Sequence, residues 1–135
     1  MIKIFLIVFL IFIVGCSSIY DCGEDLQCFK EHSKDCQRTR VNAIYEENDV
    51  RITTRGLTDE GCRVSLKIEQ ISQKLKEEYP IETRNAEGKT LNCILPVKSD
   101  YAEEILNLEE TFNRACSGPV KVALQGPLKD ILRKV

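Results

Sequence analysis

Six cysteines, Cys22, Cys28, Cys36, Cys62, Cys93 and Cys116, constrain this chain more than any other feature, and a seventh, Cys16, stands apart near its start. Thiols that reach an oxidising compartment pair, and small exported domains use such pairs where a core alone is too lean. Each bridge contributes about 2–4 kcal/mol, mainly by restricting the unfolded chain. The core here is lean. The chain has 43% apolar residues, no Trp and five Phe, three of them before Cys16. Nineteen basic and 21 acidic side chains leave a net charge of −2. That balance excludes a polytopic membrane protein, a disordered acidic tail and a basic nucleic-acid binder.

The opening residues speak to the compartment. Lys3 is the only charge before Asp21, and Ile4–Val14 is an unbroken apolar run of 11 residues. A spanning helix needs about 20 apolar residues, whereas the hydrophobic region of an export signal needs about 7–15 behind a positive start. The run fits the export signal.

Its end, Ile13-Val14-Gly15-Cys16, resembles the lipobox of prokaryotic membrane lipoproteins: an aliphatic residue, a small or aliphatic one, Gly/Ala/Ser, then the cysteine that is lipidated. The resemblance implies that residues 1–15 are a signal peptide and that Cys16 carries acyl chains such as palmitate as the new N-terminus. Residues 16–23 then form a lipidated tether, and residues 24–135 a domain anchored on the exocytoplasmic side of the cell membrane. An uncleaved anchor over Ile2–Tyr20 and ordinary cleaved secretion are the alternatives. All three keep Lys3 on the cytoplasmic side by the positive-inside bias. With Cys16 assigned to lipid, the even set of six remains for disulfides. The order Cys22, Cys28-Phe29 and Cys36 ahead of a sheet is similar to small exported Cys-rich proteins of unknown function from archaea, a likeness that implies no activity.

The rest reads as one α+β domain: a small antiparallel sheet packed by N-terminal and C-terminal helices and stapled by disulfides. Glu24–Asp35 has helical character, with Leu26 and Phe29 spaced by three. Arg38–Tyr45 and Val50–Thr54 form a hairpin about the Glu46–Asp49 turn. Cys62–Glu69 alternates strictly, placing Cys62, Val64, Leu66 and Ile68 on one face. A helix over Ile71–Tyr79 is closed by Pro80, and Asn85–Lys89 is a polar loop. Thr90–Leu95 is a strand with Leu91, Cys93 and Leu95 on one face, ended by Pro96. Tyr101–Cys116 reads as the best helix, capped by Ser99-Asp100 and carrying the stripe Tyr101, Ile105, Leu108, Phe112 and Ala115. Val120–Leu124 is a short apolar piece, and Pro127–Val135 a final helix.

Cys28 and Cys36 lie at opposite ends of the first helix, about 12 Å apart, too far to bridge each other. The bridges of Cys62 and Cys93 should be buried, with partners drawn from the helices. Cys36 is preferred for Cys62, leaving Cys93 to Cys28 or Cys116 and Cys22 to whichever remains.

Little in the chain announces chemistry. No nucleophile elbow, Walker loop, dinucleotide fingerprint, HExxH or EF-hand loop occurs. Cys28, His32 and Cys36 at i, i+4 and i+8 would align on a helix face as zinc ligands, or lend a base to an exported enzyme. Scattered cysteines in an oxidising space favour bridges instead. The carboxylate pairs Glu46-Glu47, Glu77-Glu78, Glu103-Glu104 and Glu109-Glu110 read as solvated turns and helix sides. Arg38, Arg40, Arg51, Arg55 and Arg63 would form an arginine-bearing face for an anionic partner if their strands are neighbours. The expectation is a non-catalytic binding or envelope-structural module without a cofactor or metal. It meets the membrane through Cys16, does not bind nucleic acid, and has an unidentified protein or ligand partner.

Overall fold

Alternation along one strand organises the structure. In a computed structural model describing residues 18–106 and 115–126, β4 (Gly61–Gln70) buries Cys62, Val64, Leu66 and Ile68 completely. Their neighbours Arg63, Lys67 and Glu69 keep contact with solvent. β4 sits inside a six-stranded sheet of order β1-β2-β3-β4-β5-β6, formed with β1 (Tyr20–Asp21), β2 (Thr39–Tyr45), β3 (Asn48–Thr58), β5 (Thr90–Leu95) and β6 (Cys116–Ser117). Among the described strands only the β1–β2 pair is parallel. Among the described residues, short helices lie at α1 (Leu26–His32), α2 (Gln73–Glu78), α3 (Pro80–Ala86), α4 (Tyr101–Leu106) and α5 (Lys121–Gln125). The inner-face strand residues share one buried cluster with Phe29, Ile71, Tyr101, Ile105 and Val120.

Local chemistry explains most boundaries. The Asp25 side chain caps α1 by accepting from the Cys28 N–H at 3.0 Å, a standard use of Asp at a helix start. The helix is shorter than the Glu24–Asp35 expected. It ends at His32, and a 3-10 turn, Lys34–Cys36, follows with Asp35 and Cys36 at positive φ. That change of direction ends the helix and turns the chain toward β2. The β2–β3 hairpin is tighter than the four-residue turn expected, since Tyr45 pairs with Asn48. Glu46 and Glu47 both take positive φ, 44° and 68°, as a two-residue hairpin of the primed class demands. Between β3 and β4, Gly61 is needed sterically: a Cβ there would lie 2.5 Å from the Leu95 carbonyl oxygen.

Four other expectations change. Tyr20–Asp21 lies within the sheet rather than in a tether, with the Tyr20 and Cys22 N–H groups donating to the Arg38 and Arg40 carbonyls. Pro80 does not end helical structure; it opens α3, where its missing N–H costs nothing. Asn85 and Ala86 therefore belong to a helix. Cys116 follows helical Ala115 directly, as expected of a helix end, but itself lies in β6, directly opposite Cys93. Val120–Leu124 is largely helical, as part of α5 with Val120 its N-cap. The cap at Asp100 does form, accepting from the Glu103 N–H at 3.2 Å. Leu108, Phe112 and Pro127–Val135 lie outside the described residues, as do the signal segment and Cys16.

The six later cysteines form three bridges: Cys22–Cys28, Cys36–Cys62 and Cys93–Cys116. The preference for Cys36 with Cys62 holds. Cys93 does take Cys116, but as a cross-strand pair with Cα atoms 4.0 Å apart. A helix does not supply its partner. Cys36, Cys62, Cys93 and Cys116 are all buried.

Candidate functional site

The sheet's second face carries the charge. Outward positions of β2, β3 and β4 place Arg40, Arg51, Arg55 and Arg63 on one surface, so the strands bearing the predicted arginines are indeed neighbours. Their partners differ. Arg40 donates to Asp21 Oδ2 from Nε and Nη2 at 2.9 and 2.6 Å. That contact and the Gly23 N–H hold the Asp21 carboxyl below its usual range, and Asp21 in turn raises Arg40. Arg51 Nη1 lies 2.9 Å from Glu69 Oε1, a charge contact without hydrogen-bond alignment. Its Nε donates to Asn42 Oδ1 at 3.1 Å. Lys67 completes the group, 2.9 Å from Glu69 Oε2. Arg38 is exposed and has an interaction partner of its own.

Arg55 and Arg63 are different. The register pairs Thr54 with Val64 and Gly56 with Arg63, so Arg55 is the extra residue of a β-bulge. Bulges re-aim side chains and break the local ladder. Here the Arg55 Nε donates to Ser65 Oγ at 2.9 Å, and Ser65 is buried although it belongs to the outer face. Among the described residues, neither Arg55 nor Arg63 meets a carboxylate.

Both arginines line a cleft of about 630 Å³. Asn92 and Ile94 of β5 form its floor, opposite Ser65 and Arg63 in register. Ala115 and Ser117 stand on the β6 side, with the Cys93–Cys116 bridge between the strands. Asn92, Ile94 and Ser117 were not singled out from sequence. The alternation of Thr90–Leu95 does place Asn92 and Ile94 outward, but nothing local pairs them with Arg63.

The other sequence candidates serve structure. Cys28 and Cys36 belong to separate bridges, which removes both thiolates as ligands of a zinc face with His32. The His32 ring stacks on Tyr20, centroids 3.9 Å apart and planes 18° from parallel. Glu46-Glu47 makes the hairpin turn, Glu77-Glu78 forms the exposed last two residues of α2, and Glu103-Glu104 sits in the first turn of α4; Glu109-Glu110 lies outside the described residues. Among the described residues no group of three or more His, Cys, Asp and Glu could hold a metal ion. No described helix is long and apolar enough to cross a membrane. The chain matches no protein-family model, no curated protein and no solved structure.

Proposed function

We propose that the protein is a membrane-anchored exocytoplasmic lipoprotein whose outward part is a non-catalytic binding or envelope-structural module. The observation that carries this reading is the division of the cysteines: six are consumed in three bridges, and the seventh, Cys16, ends Ile13-Val14-Gly15-Cys16 behind an 11-residue apolar run. Disulfides belong to oxidising compartments, which is where a lipobox delivers its chain. A non-catalytic role is supported by the state of the usual nucleophile and base. The thiols of residues 22–116 are bonded and the single histidine stacks on Tyr20. In this reading α1 and α4 are the helices that clamp the inner face of the sheet, and Cys22–Cys28 ties α1 close to the lipidated end.

Intact mass spectrometry of the native protein, with membrane fractionation of the parent and of Cys16→Ser, tests the anchor. The expected parent begins at a Cys16 bearing several acyl chains, because one chain binds membranes only marginally. Cys16→Ser should remain unprocessed. If Cys16→Ser is cleaved and retained just as the parent is, the lipoprotein reading fails. A parent that keeps residues 1–15 would instead be a signal-anchored protein.

A further inference from the structure

We infer that the cleft between Arg55 and Arg63 is a binding site for a small organic oxyanion, a phosphate monoester by preference, with its charged head between the two guanidinium groups. Two cations face one concavity and no described carboxylate neutralises either; Asp59 and Glu60 of the adjoining turn pair with neither. Every other outward arginine of β2 and β3 already has a carboxylate or amide partner. Arg55 is also held in place, by the bulge that re-aims it and by the bond from its Nε to Ser65. Among the described residues, its two Nη groups meet no partner, which leaves them for a ligand. A guanidinium fork matches the spacing of phosphate and carboxylate oxygens and binds them through charge-assisted hydrogen bonds. The Asn92 amide and Ser117 hydroxyl add neutral donors, while Ile94 offers an apolar wall to an alkyl or sugar portion. A volume of about 630 Å³ suits a small molecule and exceeds what inorganic phosphate alone would fill.

The inference names a ligand for the binding module proposed above but does not need the anchor. The test is calorimetric titration of the full chain, in neutral detergent micelles, with hexyl phosphate, inorganic phosphate and hexanol. Hexyl phosphate should bind saturably, inorganic phosphate more weakly and hexanol not at all. Arg55→Gln and Arg63→Gln should each weaken hexyl phosphate at least tenfold, and Asn92→Asp, which adds a carboxylate, should do the same. Arg84→Gln, an exposed arginine on α3, should change nothing. Retention of all three bridges and of the thermal midpoint shows that the variants fold. Cys16→Ser, titrated in parallel, should match the parent, so that failure of the anchor and failure of the cleft are told apart. Repeating the titration in phosphatidylcholine nanodiscs with and without phosphatidic acid, a lipid phosphate monoester, separates two sources of the anion. Competition by phosphatidic acid assigns a lipid headgroup, and its absence assigns a free solute. No saturable binding by the parent, or equal binding by the parent, Arg55→Gln, Arg63→Gln and Arg84→Gln, overturns the inference.

Discussion

Along β4, Cys62, Val64, Leu66 and Ile68 lose all contact with solvent, while Arg63, Lys67 and Glu69, each one residue away, retain it. The inner face is decided by burial and covalent linkage, which do not depend on which charged partners are near. The outer face is decided by neighbours. Arg40, Arg51 and Lys67 meet Asp21 or Glu69, whereas Arg55 and Arg63, at the end of β3 and β4 near their connecting turn, line an open cleft with β5 and β6. Two arginines of identical chemistry thus have different roles because of what lies across the ladder. Surface ion pairs contribute little to stability, about 0–1 kcal/mol, so the outer face can be altered for binding without cost to the fold.

Removing the staples from the inner face should give the largest effect. Three bridges at about 2–4 kcal/mol each rival the whole net stability of a domain this size, about 5–15 kcal/mol. The reduced protein should lose its cooperative unfolding transition. Chemical denaturation with and without reductant measures this, and a reduced form melting within a few degrees of the oxidised one would break the contrast between the faces.

Next in size is the packing of β4 itself. Leu66→Ala should destabilise by about 2–5 kcal/mol, because Leu66 is fully buried and its removal leaves a cavity. Lys67→Ala, its neighbour on the outer face, should cost less than about 1 kcal/mol. Equal losses from the two, read by urea denaturation, would show that the faces are not energetically distinct.

A smaller effect of opposite sign is expected at the hairpin that sets the register of β2 against β3. Glu46 and Glu47 occupy positive φ, a conformation unfavourable for residues with a Cβ and natural to Asn-Gly. The double change Glu46→Asn, Glu47→Gly should stabilise by about 1 kcal/mol. A loss of stability on denaturation would mean that the glutamate side chains contribute more than the turn strains.

The smallest effect concerns a surface pair away from both faces. The Lys76 ammonium, 2.7 Å away, lowers the Glu87 carboxyl below its ordinary range, and the Ile71 N–H it accepts adds to this against some burial. A lowered folded-state pKa contributes stability above the ordinary glutamate value, and that stability is lost as pH falls through the folded value. Glu87→Gln should therefore be slightly less stable than the parent at neutral pH and converge with it in acid. Parallel thermal melts over that range check the sign, and a difference that grows in acid would reverse it.

Much of this architecture was legible in the chain. Strict alternation placed β4 and β5 within a residue of their observed limits, because a strand's two faces follow from backbone stereochemistry alone. Cysteines alternating with apolar residues announced buried bridges. Less legible were elements that depend on a distant partner. β1 and β6 are two residues each, too short for any pattern, and they exist as strands because β2 and β5 offer them free edges. Pro80 was ambiguous locally, since a proline can follow one helix or begin the next.

From sequence alone came the faces of β4 and β5, with the residues of each that turn inward, and that Cys28 and Cys36 must find separate partners. The tertiary structure decided the meetings. It brought Cys116 opposite Cys93, set Asp21 beside Arg40, and left Arg55 and Arg63 without a described carboxylate around one cleft. The division has a simple cause. Direction is fixed by the local period of the backbone, whereas pairing and charge neutralisation depend on residues that only the register of distant strands brings within a few ångströms.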